Sequence, residues 1–200
     1  MRSFNYCIYS TLNPQLFGVL GKTYTLNILA EGKSYYSKTK IPFPVPLDSL
    51  WFKPEKDSLG FVWATLDEPD TMGNCYRWFA KRLGKDKSFI APIGSAFEDQ
   101  FINNTRFDFA YFRGSVPGSE REDDNNVEAG FFKIGDSIVV KFCSTDKSVY
   151  KFFRTYETNI SNGGNPFASP SVVESNIIGD NVLGVWAGYG PFIDTLIIKK

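Results

Sequence analysis

The sequence predicts a mainly β fold, a β-sandwich with one packed amphipathic α-helix near residues 146–161. Short runs of alternating apolar and polar residues recur along the chain between glycine, proline and asparagine turns, a pattern typical of strands. Phe, Trp and Tyr make up 16% of the 200 residues, and aromatic side chains favour half-buried strands. One segment between Ser144 and Ile160 has the helical period instead. Together these features predict sheets that bury an aromatic core against a single helix.

The first part of the chain predicts strands and one tight hairpin. Residues 4–10 indicate a strand. Residues 24–28 and 35–41 alternate between apolar and polar side chains on either side of Glu31-Gly32, a pair that suits a tight turn. We therefore expect these two runs to pair as antiparallel strands.

A proline-rich run at residues 41–46, Ile-Pro-Phe-Pro-Val-Pro, follows this hairpin. Prolines at alternate positions lack backbone donors, so the run cannot lie inside a sheet and favours an extended conformation. It predicts a boundary or crossover between a first β unit at residues 1–42 and a larger β-sandwich domain with the helix at residues 43–200.

Further strands are predicted in the larger unit. In the second of them, Phe61 and Trp63 face one way while Val62 and Ala64 face the other, which indicates a strand covered on both faces. The predicted ranges are residues 49–54, 59–66, 75–83, 106–112, a hairpin-like pair over 131–144 that turns at 134–136, and 193–198.

The helix is predicted from its cap, its apolar stripe and its end. Ser144, Thr145 and Asp146 are suitable N-cap residues because a side-chain oxygen there can accept a hydrogen bond from a free backbone N–H. Gly163-Gly164 and Pro166 are typical of a helix end. The apolar residues that share one face, and that we expect to be buried, are Val149, Phe152, Phe153, Tyr156 and Ile160.

Composition excludes several classes of function. The chain has 22 Lys and Arg residues against 22 Asp and Glu residues, so no broad positive charge favours nucleic acid or anionic lipid. It contains no histidine, which excludes Ser-His-Asp and Cys-His catalysis and every histidine-ligated metal site. No apolar run reaches the roughly 18 residues of a membrane span, and we expect no transmembrane segment and no signal peptide in the chain as given.

The three cysteines, Cys7, Cys75 and Cys143, lack metal-binding spacing and form an odd number. Cys75 and Cys143 lie in strand-like runs, where a free thiol behaves as a small apolar side chain. We expect these two to be buried and free, with a disulfide between two of the three as the alternative.

Carboxylates are the remaining candidates for chemistry. Glu68 with Asp70, and Glu98 with Asp99, resemble the acidic pairs of glycosidases, but catalysis needs a separation of about 5–10 Å across a cleft, which adjacency does not provide. The acidic run at residues 123–128 lacks the alternating spacing of a calcium loop. We therefore predict no catalytic, cofactor-binding or metal-binding residues, no cofactor, and a protein that is not an enzyme.

Aromatic residues near glycines are the candidates for binding. The sequence Gly-Val-Trp-Ala-Gly-Tyr-Gly at residues 184–190 can form a shallow stacking surface. Trp186, Tyr189 and Phe167 are the predicted contacts for a ligand or partner. The alternative is that the glycines bend a strand while Trp186 enters the core.

The helix and the residues after it carry a family resemblance. The sequence KFFRTYETNISNGGNPFASP followed by SNI, together with NCYRW and GKTYTLNILAEGKSYYSKTKIPFPVP, resembles the family known as domain of unknown function 4249 over about residues 20–195. The resemblance implies a Bacteroidetes cell-envelope lipoprotein with an immunoglobulin-like N-terminal domain, of which residues 1–42 are a part, and a C-terminal β domain. It implies a gene near TonB-dependent outer-membrane receptors and supplies no functional residues; we do not equate Cys7 with a lipidation site.

The expected function is that of an exported, non-enzymatic binding or accessory component of TonB-dependent uptake, periplasmic or at the cell surface. Its expected partner is an outer-membrane receptor or another envelope protein; nucleic acid is not expected, and membrane attachment requires a lipid anchor absent from this chain. One alternative is a structural spacer or adhesin-like module, which predicts no concave aromatic pocket. The other is a carboxylate-dependent glycan hydrolase, which requires two carboxylates facing one cleft.

Overall fold

The computed structural model describes residues 8–114, 130–162 and 172–199. Cys7, Phe167, the acidic run at 123–128 and the predicted helix end at 163–166 lie outside them. Strands and helices have the following bounds: β1 Thr23–Ala30, β2 Lys33–Lys40, β3 Ser49–Lys56, β4 Leu59–Asp67, β5 Cys75–Arg82, β6 Ala96–Glu98, β7 Arg106–Tyr111, β8 Phe132–Lys133, β9 Ser137–Thr145, β10 Tyr189–Ile197, the α-helix α1 Lys147–Asn162, and 3₁₀ helices Pro14–Leu16 and Asp99–Phe101.

Strands β1 and β2 form the predicted hairpin as a two-stranded antiparallel sheet. Its turn residues, Glu31 and Gly32, have φ angles of 51° and 73°, the positive values that a two-residue hairpin turn requires. The predicted strand at residues 4–10 is wrong for residues 8–10, which have no regular structure because no strand of the described chain pairs with them.

Two antiparallel sheets form a β-sandwich, which confirms the predicted fold class. One sheet has the strand order β10-β9-β5-β6, and the other has the order β3-β4-β7 with β8 paired to β4. Their inner faces pack together through a common core, since apolar side chains of both sheets form one cluster. Its largest fully buried members are Trp78, Tyr76, Phe132, Phe142, Leu66, Ile138, Val62 and Val140.

Strand β4 is fully buried along one face and partly buried along the other, where Leu59 and Thr65 are buried as well. Val62 and Ala64 are 0% exposed, whereas Phe61 and Trp63 on the other face are half-buried. The expectation of a strand covered on both faces therefore holds only in part, since solvent reaches part of the Phe61 and Trp63 rings. The reason is that α1 packs against β5 and β6, in the opposite sheet.

The predicted hairpin over residues 131–144 is also wrong, because β8 pairs with β4 and not with β9. The turn between β8 and β9 instead carries the chain from one sheet to the other. Asp136 stabilises this turn, since its carboxylate accepts hydrogen bonds from the Lys133 N–H at 2.9 Å and from Lys85 Nζ at 2.6 Å. Phe132 can then enter the core, where it is 0% exposed.

The helix begins one residue after Asp146, which is its N-cap. Asp146 Oδ1 accepts hydrogen bonds from the Val149 N–H at 3.0 Å and from Ser148 Oγ at 2.6 Å. Oδ2 accepts hydrogen bonds from Thr39 Oγ1 at 2.6 Å and from the Lys40 N–H at 3.0 Å, both at the end of β2. The same carboxylate therefore caps the helix and joins it to the hairpin.

The buried side of α1 differs from the predicted stripe. Phe152 is buried as expected, but Tyr156 is 41% exposed and Ile160 is 47% exposed. Glu157 is buried in their place, and its Oε2 accepts a hydrogen bond from the Gly94 N–H at 2.8 Å. The expectation for Tyr156 and Ile160 is wrong because this polar contact turns the Glu157 side of the helix toward the body of the domain.

We expect Asp146→Ala to lower the free energy of unfolding by about 2 kcal/mol, because it removes the N-cap and both contacts to β2. Burial alone raises the pKa of Asp146, but hydrogen bonds from Ser148, Thr39 and two backbone N–H groups outweigh it, and the pKa lies below the ordinary 3.8. This stabilisation is therefore complete above pH 3.8 and is lost as the pH falls through the lowered value.

Urea unfolding at neutral and acidic pH measures this effect. Asp180→Ala is the matched control, since Asp180 is exposed on the surface. Equal stabilities of the two variants at neutral pH would contradict the role of Asp146.

Candidate functional site

The outer face of the β3–β4–β7 sheet carries a cluster of aromatic side chains, which we call the aromatic face. Because side chains alternate along a strand, Phe61 and Trp63 on β4 both point away from the core. Trp51 on β3 lies directly opposite Trp63 in the antiparallel register. Phe112, just after β7, and Phe131, just before β8, complete the cluster.

Ring contacts hold the aromatic face together. The Trp51 and Trp63 rings stack with their centroids 6.2 Å apart at an interplanar angle of 23°. The centroid of Phe61 lies 5.4 Å from that of Phe112, edge to face, and 5.0 Å from that of Phe131. Lys53 Nζ lies 5.1 Å from the ring centroid of Trp63, within the range of a cation–π contact. These contacts keep several ring surfaces in fixed positions.

A depression of about 420 Å³ lies on this face. Its walls include the rings of Phe61, Trp63 and Phe112 and the acidic residues Glu55 and Asp108. Thr65 Oγ1 donates a hydrogen bond of 2.7 Å to Asp108 Oδ1, which orients that carboxylate. The arrangement offers flat apolar surfaces beside hydrogen-bond acceptors, as ligand-binding surfaces commonly do.

The predicted binding residues lie elsewhere in the fold. Trp186 is half-buried, and its Nε1 donates a hydrogen bond of 3.4 Å to the Tyr24 carbonyl of β1. The alternative that Trp186 enters the core is wrong, since it contacts the hairpin instead. Tyr189 begins β10, where its hydroxyl accepts a hydrogen bond of 3.1 Å from Arg77 Nη1. Phe167 is outside the described residues, so the binding role of the three stays a prediction.

A buried ion pair lies beneath the helix. Arg77 Nη2 of β5 lies 3.9 Å from Glu157 Oε1 of α1, and the Arg77 guanidinium carbon lies 3.1 Å from the ring centroid of Phe153. Burial raises the pKa of Glu157, although the Gly94 N–H and Arg77 oppose this shift. The pair connects the helix to the sheet and is closed to a ligand by its burial.

The structure brings Glu68 and Asp99 together rather than the pairs that are adjacent in sequence. Both are buried, and both accept hydrogen bonds from the turn before β5. Asp99 accepts from the N–H groups of Gly73 and Asn74, and Glu68 Oε1 accepts from Asn74 Nδ2 and from the Tyr76 hydroxyl. Because both carboxylates are buried and accept hydrogen bonds from this turn, their role is to stabilise the turn.

The other predicted acidic partners are separated from them. Asp70 accepts a hydrogen bond from Asn103, and Glu98 forms an ion pair with Lys147 at the start of α1. Neither predicted pair therefore faces a common cleft.

Cys75 and Cys143 are buried and free, which confirms the expectation for these two residues. Burial raises the pKa of each thiol to about 11. Because the thiolate is the reactive form, neither is a nucleophile at neutral pH.

Within residues 8–114, 130–162 and 172–199, no group of three or more Cys, Asp or Glu side chains is placed to bind a metal ion. In the same ranges, no helix has the length and apolar character needed to cross a bilayer.

The model of a family described as a domain of unknown function (DUF4249) matches residues 6–191. Neither the curated proteins nor the solved structures gave a match.

We expect Glu68→Gln to change the pH dependence of stability. Burial raises the pKa of Glu68 above the ordinary 4.5, with hydrogen bonds from Asn74 and Tyr76 opposing the shift and Asp99 adding to it. The native state therefore binds this proton more tightly than the unfolded chain. The stabilisation is complete below pH 4.5 and is lost as the pH rises through the raised value, by at most about 1.4 kcal/mol per pH unit.

Denaturant unfolding across this pH range should show a smaller slope for Glu68→Gln than for the wild type. Asp70→Asn, at a neighbouring exposed carboxylate, is the control and should keep the wild-type slope. An unchanged slope in Glu68→Gln would mean that this carboxylate does not titrate as its burial implies.

Proposed function

The chain belongs to the family described as a domain of unknown function (DUF4249), and from this premise we propose that it is a non-enzymatic binding module of the cell envelope. Its binding surface is the aromatic face, and its ligand class is a neutral glycan. The observation that carries the proposal is the depression of about 420 Å³ in which aromatic rings and two carboxylates meet.

The chemistry of this surface favours a sugar. Ring faces such as those of Trp63 and Phe61 bind the apolar C–H face of a pyranose, and carboxylate oxygens accept hydrogen bonds from its hydroxyl groups. The two carboxylates of Glu55 and Asp108 outweigh the one positive charge of Lys53 beside Trp63, so a nucleotide, which offers a flat base but carries phosphate, fits less well.

The aromatic and acidic lining of the depression supports this proposal over the two alternatives. A spacer or adhesin-like module has no need of a concave aromatic pocket. A hydrolase needs two carboxylates on either side of the scissile bond. Glu55 and Asp108 share the depression, but Asp108 accepts a hydrogen bond from Thr65 within the sheet, which favours a binding role.

The proposal places the module in the periplasm or at the cell surface. Its partner there is an outer-membrane receptor of TonB-dependent uptake, to which it presents the bound glycan. The family resemblance of the helix and the following sequence supports this location and this partner.

We expect Trp63→Ala to weaken the binding of neutral oligosaccharides by roughly tenfold, because burying about 55 Å² of apolar surface against the ring is worth about 1.4 kcal/mol, a factor of ten in affinity. Isothermal titration against a panel of neutral oligosaccharides, with intrinsic tryptophan fluorescence as a second signal, measures the effect. Phe101→Ala is the matched control, since Phe101 is 90% exposed but is not among the residues that line the depression.

Two outcomes would contradict the proposal. One is equal affinity of Trp63→Ala and the wild type for every oligosaccharide that binds. The other is release of cleaved sugar that stops in Glu55→Gln or Asp108→Asn, which would establish the hydrolase instead.

A further inference from the structure

The outer face of the other sheet carries a different surface, which we call the cation ladder. It lies on the opposite side of the sandwich from the aromatic face, because the inner faces of the two sheets form the core. Aromatic rings and cations alternate along it. In order, its members are Phe153, Arg77, Phe79, Lys141, Phe89 and Lys81.

The register between strands β5 and β9 places members of the cation ladder next to each other. Phe79 and Lys81 point to the same side of β5, and Lys141 of β9 lies directly opposite Phe79. Phe89 joins them because the next residue, Ile90, forms a bridge with Ala80 of β5. Side chains from three segments of the chain therefore meet on one face.

The cations lie close to the ring faces. Lys141 Nζ lies 4.4 Å from the ring centroid of Phe79 and 4.6 Å from that of Phe89. Lys81 Nζ lies 5.6 Å from the centroid of Phe89. Such contacts restrict lysine side chains that are otherwise flexible, so less conformational entropy remains to be lost when an anion binds.

The two ends of the ladder differ in charge. Arg77 at one end has the Glu157 carboxylate as its ion-pair partner. Lys81 and Lys141 have no Asp or Glu oxygen within 4.0 Å among the described residues. Both are half-buried, so solvent still reaches part of each side chain. Within the part of the chain that the structure describes, two positive charges without a carboxylate partner thus share one surface, although the overall charge of the chain is balanced.

The positions of these lysines match the spacing of an extended peptide. Lys81 lies opposite Val139 and Lys141 lies opposite Phe79, so the two lysines are diagonal neighbours on one face, about 7–8 Å apart. In an extended peptide, side chains two residues apart project to the same face and are separated by about 6.8 Å. Carboxylates at alternate residues can therefore reach both ammonium groups at once.

We propose that the cation ladder binds an extended acidic peptide segment of a partner protein, with carboxylates on alternate residues contacting Lys81 and Lys141. Ile193, which is 56% exposed and lies opposite Lys141 on β10, provides an apolar contact beside the two charges. This surface is independent of the aromatic face, and either can fail without the other.

The test compares two synthetic peptides of equal composition. In one, glutamate and threonine alternate; in the other, the glutamates occur as adjacent pairs, so that fewer of them share a face. NMR titration of the ¹⁵N-labelled chain at low ionic strength should show shifts centred on residues 79–81 and 139–141. The alternating peptide should bind about two- to fivefold more tightly, as expected for one additional charge pair at a surface.

Substitutions of Lys81 and Lys141 test whether the peptide binds at the cation ladder. Lys81→Gln combined with Lys141→Gln should weaken binding by about tenfold, and each single change by about two- to fivefold. Lys38→Gln is the matched control, because Lys38 Nζ also lies over a ring, 5.8 Å from the centroid of Tyr36, but on the hairpin. If the glutamine variants unfold at a lower temperature than the wild type, Lys81→Met and Lys141→Met are used instead. Methionine removes the charge but keeps an unbranched side chain that can pack on the Phe89 ring.

Three results would overturn the proposal: equal affinity for the two peptides, unchanged affinity in the double variant, or tighter binding of polygalacturonate than of the alternating peptide. The last result would assign the surface to an acidic polysaccharide. Trp63→Ala should leave peptide binding unchanged, which separates this site from the aromatic face.

Discussion

The carboxylate of Asp146 is the contact on which the arrangement of this chain depends. Oδ1 accepts from the first turn of α1, and Oδ2 accepts from the end of β2. Thr39, which donates to Oδ2, in turn accepts a hydrogen bond of 2.8 Å from the Gly188 N–H next to β10. A partly buried carboxylate is stable only when its oxygens accept hydrogen bonds. Because the donors to Asp146 and Thr39 come from the helix, the hairpin and the segment before the last strand, these elements keep one relative position.

The aromatic core determines what the two outer faces present. Tyr76, Trp78 and Phe142 pack inward between the sheets, so their neighbours in sequence must face outward. On the β3–β4–β7 sheet, Val62 and Ala64 pack inward in the same way, which leaves the Trp51–Trp63 pair on the outer face. On the β5–β9–β10 sheet the helix contacts Arg77 through Phe153, while Lys141 and Lys81 lie farther along. The two faces therefore differ in charge although the total charge of the chain is balanced.

Features that depend on neighbouring residues were predictable. The turn at Glu31-Gly32, the cap at Asp146 and the buried thiols of Cys75 and Cys143 agree with the structure. Features that depend on distant partners were not: β8 pairs with β4 rather than with its neighbour β9. Tyr156 is exposed because the contact of Glu157 with Gly94, 63 positions away, sets the orientation of the helix.

The same distinction applies to the candidate surfaces. Alternation along β4 and β5 indicates that Phe61 joins Trp63 on one side, and that Phe79 joins Lys81, because this period is local to a strand. No feature of the neighbouring sequence indicates that Trp51 lies opposite Trp63 or that Lys141 lies opposite Phe79. Strand pairing between residues far apart in the chain decides those neighbours, and the side on which the helix packs decides which rings solvent can reach.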